Sequence, residues 1–250
     1  MILANLTSSM VTDLPKEMVV VVPVASLEQH SLHLPLFTDS MLLEESVQRL
    51  EERMPWDVLA LPVMWLGYSQ HHIEYSGTVS AGSETHLNVM MDIVLSMLGH
   101  GFRRILILNS HGGNQANIAV LLQRLMESEE DAEILAATLY SPESTEKAVK
   151  RILEAGEEGS GHAGETETSM MLAMAPNLVR EDRMHADGEE ARPRLKGVAT
   201  YRRMHLRTRH GGVGDPASAT AKKGERLFKA IVNGLEETVK VIRSGEARLP

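Results

Sequence analysis

Carboxylates and imidazoles recur in this chain where apolar runs end. The run MVVVVPVAS (18–26) leads into LEQHSLHLPLFTD (27–39), which holds Glu28, His30, His33 and Asp39. The run RRILILNS (103–110) stops at His111, followed by Gly112, Gly113 and Asn114. The glycine-flanked segment GSGHAGETETS (159–169) holds His162, Glu165 and Glu167. Buried charges are costly unless they are paired or coordinate a metal. Groups of these types at the ends of buried strands therefore point to use. In an extended segment positions i and i+2 point the same way, so Glu28 and His30 can face one ion. Carboxylate oxygens and imidazole nitrogens are ligands for divalent zinc, manganese and iron. Two residues have plainer readings. Asp39 precedes a helix, where a carboxylate can cap. Glu167 fits the first turn of a helix, where the dipole favours negative charge.

The elements that must position these residues are legible from hydrophobic patterning. Four runs rich in Val, Ile and Leu read as strands: 18–26, 57–65, 103–110 and 132–140. Near-continuous apolar runs suit strands buried on both faces, as in a parallel sheet. Helices are expected between them. Segment 39–54 starts at an acidic residue and ends before Pro55; segment 83–101 has Ser83 as N-cap and Gly99 or Gly101 at its end. Segment 114–128 has Ile118, Leu121, Leu122 and Leu125 on one face. A helix over 141–156 follows, then an apolar helix after the 159–169 segment, a basic irregular stretch (192–216), and a last helix from about Pro216 to Ile242. Alternating strands and helices predict a three-layer α/β/α fold with a mostly parallel central sheet and right-handed crossovers. One domain over 1–250 is expected, since no linker or repeat divides the chain. In such sheets ligands gather at the carboxyl ends of the strands. His71 and His72 also fall there, beside Tyr68, as do Asn109 and Asn114.

Composition narrows the function classes. The 250 residues carry 25 Lys plus Arg against 34 Asp plus Glu, a formal charge of −9. Nucleic-acid affinity comes largely from phosphate neutralisation, so an acidic chain is a poor candidate for it. No cysteine is present, which excludes disulfides, cysteine nucleophiles and thiolate zinc sites. The run at 18–26 is too short to span a bilayer and contains Pro23. A soluble cytoplasmic protein is expected, with no membrane and no nucleic-acid partner. Ser110, Ser160 and Ser169 lack the surroundings of a nucleophile elbow. The cluster of Arg202, Arg203, Arg207 and Arg209 reads as a solvated or salt-bridged segment, or as a contact for an anionic substrate or a neighbouring subunit. Met90, Met91, Met97, Met170, Met171 and Met174 fit core faces of helices.

Three segments together resemble the creatininase (creatinine amidohydrolase) family: SLEQHSLHLPLFTD, LNSHGGN and GHAGETETSMMLAMAP, in that order. Weaker similarity runs through GYSQHHIEYSGTVS and GGVGDPASAT, so it covers nearly the whole chain. The resemblance implies a creatininase-like α/β/α fold and a centre of two divalent ions, zinc first, with manganese or iron as alternatives. It implies Glu28, His30, Asp39 and His111 as ligands, with Asp39 bridging. Creatininase proper has a glutamate where this chain has Gly113; by the resemblance Glu167 supplies that carboxylate. His162 corresponds to a histidine beside the substrate, and His162 or Glu165 would move a proton to the leaving nitrogen. Asn109 and Asn114 would orient His111 or its loop. A hydroxide bridging the metals would attack a non-peptide C–N bond, that of a cyclic amide or formamide in a small polar molecule. Creatinine itself is not expected: Ser160 and Gly161 stand before His162, where creatininase has tryptophan nearby, and the chain's only tryptophans are Trp56 and Trp65. Within the family the alternatives are a formylamino-pyrimidine hydrolase of flavin or deazaflavin biosynthesis and a mycofactocin-type maturation peptidase. Outside it, the alternative is a metal-stabilised assembly protein without turnover. The family also implies a homo-oligomer, a hexamer.

Overall fold

A computed structural model of the chain describes residues 1–187 and 201–246, the side chains of 157 and 158 excepted. Among the described residues four strands form one sheet: β1 (Val19–Val24), β2 (Val58–Ala60), β3 (Arg104–Asn109) and β4 (Glu133–Thr138). Their order is β2-β1-β3-β4 and every ladder is parallel. The α-helices among the described residues are α1 (Ser8–Thr12), α2 (Thr38–Arg53), α3 (Ser83–Gly99), α4 (Gln115–Ser128), α5 (Glu143–Ile152), α6 (Gly156–Gly159), α7 (Glu165–Met174) and α8 (Ala221–Ser244).

Strand alternation divides the core between two faces. Val19, Val21, Leu106 and Leu108 pack with α2, α7 and α8. Val20, Val22, Ile105 and Ile107 pack with α3 and α4. The result is the three-layer arrangement expected from patterning. Met90, Met97, Met170 and Met171 are buried in these layers.

The boundaries differ from the expectation where local chemistry intervenes. The second strand stops at Ala60, not 65, because Pro62 has no N–H for a ladder. The chain still follows β1 beyond it, through Leu61 N–H to Val21 O and Met64 N–H to Pro23 O. Ser83 is the first residue of α3 and not its cap; Gly82 holds that position, and the Ser83 hydroxyl donates to Asn117. Asp39 lies inside the first turn of α2 and makes no cap hydrogen bond. Helix α8 begins at Ala221, five residues later than expected, because Thr220 caps it by accepting from Lys223 N–H. Of the basic stretch, 192–200 lies outside the described residues; 201–216 is irregular apart from one 3-10 turn. No helix among the described residues is long and apolar enough to cross a membrane.

Candidate metal centre

All four strands run the same way, so their carboxyl ends share one edge, and the polar segments meet there. β1 delivers Ser26, Glu28, Gln29 and His30; β3 delivers Asn109 and His111; the first turns of α2 and α7 deliver Asp39 and Glu167. Ser31, directly after His30, and Ala163, directly after His162, have φ of 57° and 56°. Left-handed backbone is costly for residues with a Cβ and collects at functional sites. Both strained residues point an N–H at a site side chain: Ser31 to Gln29 Oε1 (2.8 Å) and Ala163 to Glu167 Oε2 (2.7 Å).

Glu28, His30, Asp39 and His111 are almost fully buried. His111 Nδ1 lies 3.2 Å from Glu28 Oε1 and 3.2 Å from Asp39 Oδ2. His30 Nε2 lies 3.5 Å from Asp39 Oδ1 and 3.8 Å from Glu167 Oε2. The two oxygens of Asp39 thus face two different imidazoles. Neither Glu28 oxygen has a hydrogen-bond partner, and neither does His30 Nε2.

Backbone carbonyls fix the direction in which each ring presents its lone pair, since a carbonyl only accepts. His111 Nε2–H donates to Tyr68 O (3.1 Å), which leaves Nδ1 facing the carboxylates. His30 Nδ1–H donates to Glu28 O (3.0 Å) and His162 Nε2–H to Gln29 O (2.7 Å). Outer partners of this kind orient metal-bound histidines. His72 is turned differently. Ser31 N–H and Gly211 O fix the Gln29 amide, whose N–H then meets His72 Nδ1 at 2.5 Å. His72 therefore carries its proton on Nε2, which faces Glu28 Oε1 at 3.4 Å without an aligned hydrogen bond. His162 Nδ1 reaches the same oxygen at 3.6 Å.

The protonation pattern follows from this crowding. Burial works against a charged Glu28, but His111, His72 and His162 outweigh it and hold the carboxyl well below its usual range. Burial also opposes a charged His30, and Asp39, Glu167 and Glu28 overcome it, raising the ring to about 9. His111 rises well above its ordinary value against the same burial, held by Glu28 and Asp39. Burial and the charge on His30 push His162 down to about 4. Burial lifts Glu167 to about 7; His30 opposes it and Asp39 adds to it. Two imidazoles that hold protons only because carboxylates crowd them are a set that divalent cations fit. A cation replaces the protons and supplies the orphaned oxygens with a partner.

Of the residues expected at the site, Glu28, His30, Asp39, His111, His162 and Glu167 come together. Glu165 does not join them. Its carboxylate accepts from Glu154 N–H, Ala155 N–H (2.7 Å) and Lys223 Nζ (2.5 Å). Its acceptors are thereby filled, and it stands apart from the cluster it was expected to serve. His33 bonds Thr168, and His71 stacks on His111 with ring centroids 5.6 Å apart. Asn109 brackets the His111 turn, its Nδ2 donating to His111 O and its Oδ1 accepting His111 N–H. Asn114 ties that turn to Ala25 O and Asn109. A Cβ at Gly113 would meet His111 Nε2 and Tyr68 O at 2.3 Å each, so a glutamate does not fit there without a shift. Arg203 pairs with Glu74. The sequence reading missed Ser26, Gln29 and Lys223. Ser26 Oγ donates to Asp39 Oδ2 at 2.5 Å.

Fold and cluster together define a class: an α/β/α protein with a buried carboxylate–imidazole site for divalent cations at the carboxyl edge of a parallel sheet. A model of the creatininase family, described as creatinine amidohydrolase, matches residues 4–239, and the chain belongs to that family of hydrolases. The mycofactocin precursor peptide peptidase of Mycolicibacterium smegmatis is 32% identical over 236 residues, 88% of this chain and 84% of that one. A solved structure from Bacteroides fragilis, described as a candidate creatinine amidohydrolase, is 29% identical with a TM-score of 0.81, covering 99% of this chain and 98% of that one. The fold is also that of solved creatininases 24% identical, among them a Zn–Zn form (TM-score 0.80, 96% of each chain) and a manganese form (TM-score 0.80, 96% and 97%).

Proposed function

We propose that the cluster is a two-metal centre that hydrolyses the C–N bond of an amide. Glu28, His111 and one oxygen of Asp39 would hold one ion; His30, the other oxygen of Asp39 and Glu167 would hold the second. The observation that carries this reading is Asp39, whose two oxygens are divided between two imidazoles already anchored to backbone carbonyls. Divalent ions so held supply Lewis acidity toward a carbonyl and bring the pKa of water near neutrality. Zinc and manganese suit this donor set.

The chain's own residues then divide the work. His162 is neutral near pH 7 and turns Nδ1 toward the cluster. It takes up a proton at that atom and returns it to the leaving nitrogen. Its Nε2–H bond to Gln29 O holds the ring in place for both transfers. His72 places its Nε2 3.4 Å from Glu28, and Asn109 and Asn114 fix the turn that carries His111. Glu165 has no part in the chemistry.

The substrate form favoured is a peptide-type amide, supported by the 32% identity to a peptidase across most of both chains. A cyclic amide or formamide of a small polar molecule is the second reading, favoured by the family's own description. Elemental analysis of chelator-free protein tests the centre: about two ions per chain are expected in the wild type, with a sharp fall in Asp39→Ala. Hydrolysis of a panel of peptides, cyclic amides and formamides, read by mass spectrometry, tests the activity. Full activity in Asp39→Ala would sink the assignment. Bound metal with no turnover of any amide would leave the assembly reading.

A further inference from the structure

Glu167 belongs to two places at once. Its carboxylate faces His30 in the cluster, and it also lines a cavity of about 540 Å³. Tyr140, Val149 and Leu153 are its apolar lining, beside Gly156, Ser160 and Thr166. These three pack against the core yet remain only partly buried, so apolar surface is left facing the opening. At the rim stand Glu146 and Lys150, one turn apart on α5 and ion-paired at 2.9 Å. The cavity is built, not an accident of loose chain. Directly after Leu153, Glu165 grips the N–H groups of Glu154 and Ala155, and Lys223 locks Glu165 from α8. The lip continues into Gly159–Gly164, where the backbone is packed so closely that a Cβ on Gly164 would meet Gly159 O at 2.2 Å.

A volume of this size lies within the range of pockets that hold drug-sized ligands and exceeds what a formyl group needs. Tyr140, Val149 and Leu153 give it an apolar surface beside Ser160, Thr166 and Glu167, and Glu146 and Lys150 balance one negative against one positive charge. We infer that this cavity is a specificity pocket that takes an apolar or aromatic side group carried next to the scissile amide. Tyr140, Val149 and Leu153 then determine which amides the centre accepts. The inference rests on the metal-centre reading for the position of the scissile bond, and it adds the class of substituent.

Amino-acid hydroxamates test it without turnover, because the hydroxamate chelates the ions whatever the side group. Zinc-loaded protein is titrated with the hydroxamates of glycine, leucine, phenylalanine and aspartate by calorimetry. Leucine and phenylalanine are expected to bind at least tenfold more tightly than glycine, and aspartate no better than glycine. Val149→Glu should erase that gap and leave glycine hydroxamate affinity and zinc content unchanged. Val149→Trp, which fills the pocket with apolar bulk, should lose leucine and phenylalanine binding while keeping glycine; it covers the case in which the glutamate variant folds poorly. Equal affinity for all four in the wild type, or a preference that both variants keep, overturns the pocket. Hydrolysis of the corresponding amino-acid amides separates the two readings. Side-group preference without turnover defeats the amide-hydrolase function and keeps the pocket; turnover without preference does the reverse.

Discussion

Glu28 and Glu165 are both wholly buried carboxylates, and they have opposite fates. Glu165 receives two backbone N–H groups and the Lys223 ammonium, and Lys223 in turn donates to Ser218 O. Glu28 has three imidazoles within 3.6 Å and no aligned hydrogen bond at either oxygen. Burial is the same in both; satisfaction is not. A satisfied buried charge holds two pieces of chain together, and an unsatisfied one in a ring of ligand atoms is arranged for something that arrives from outside. Within a single helical turn Glu165 and Glu167 differ in a milder way: Glu167 accepts one N–H, from Ala163, and still faces His30 at 3.8 Å.

Conservative amide substitutions at the two residues set this comparison at risk, and the largest effect is expected at the centre. Glu28→Gln keeps the shape and removes the charge. It should weaken metal binding by more than the roughly 100-fold that loss of an outer partner costs, as read by competition with a chromophoric chelator. Near wild-type affinity would remove Glu28 from the ligand set. His162→Ala should slow turnover by about 100-fold or more, the range for a lost acid–base group, with metal content unchanged. Loss of metal in that variant would make His162 a ligand.

A smaller, graded effect is expected from pH. His30, raised to about 9, and His111, raised well above its ordinary value by Glu28 and Asp39 against the cost of burial, hold protons until an ion displaces them. Metal binding therefore releases protons, and affinity should rise with pH by about tenfold per unit per proton released up to about pH 9. A flat profile between pH 6 and 8 would mean the rings are already neutral. Gln29→Leu removes the amide that sets the His72 tautomer and should weaken metal binding by about tenfold, the lower end for an outer partner. Glu165→Gln sharpens the comparison from the other side. It should leave metal affinity within about twofold while costing about 3 kcal/mol of stability, the lower end for a broken buried pair. Chemical denaturation of the metal-free protein measures that cost. A Glu165 variant that loses metal and keeps its stability would erase the distinction between the two carboxylates.

Much of this molecule is legible in the chain alone. Strands buried on both faces need continuous apolar side chains, so the four runs announce the sheet and its parallel sense. Ligands need donor atoms of particular types, so Glu28, His30, Asp39 and His111 stand out where those runs end. Lys223 was also within reach. It shares the α8 stripe of Leu227, Ile231 and Leu235, and a lysine on an apolar face calls for a buried partner.

What the sequence does not decide is which donor atom of each residue is already spent. GETETS offers two glutamates with equal claims, and residue types and spacing cannot rank them. Ranking comes only when α8 brings Lys223 to Glu165 and the loop after α5 brings two N–H groups, while α7 turns Glu167 toward His30. The same holds for the imidazoles: the Tyr68, Glu28 and Gln29 carbonyls select the free nitrogen of His111, His30 and His162. These partners lie up to 133 residues away. Hydrogen bonding is directional and short-ranged, so the division between satisfied and available groups exists only once the layers have packed.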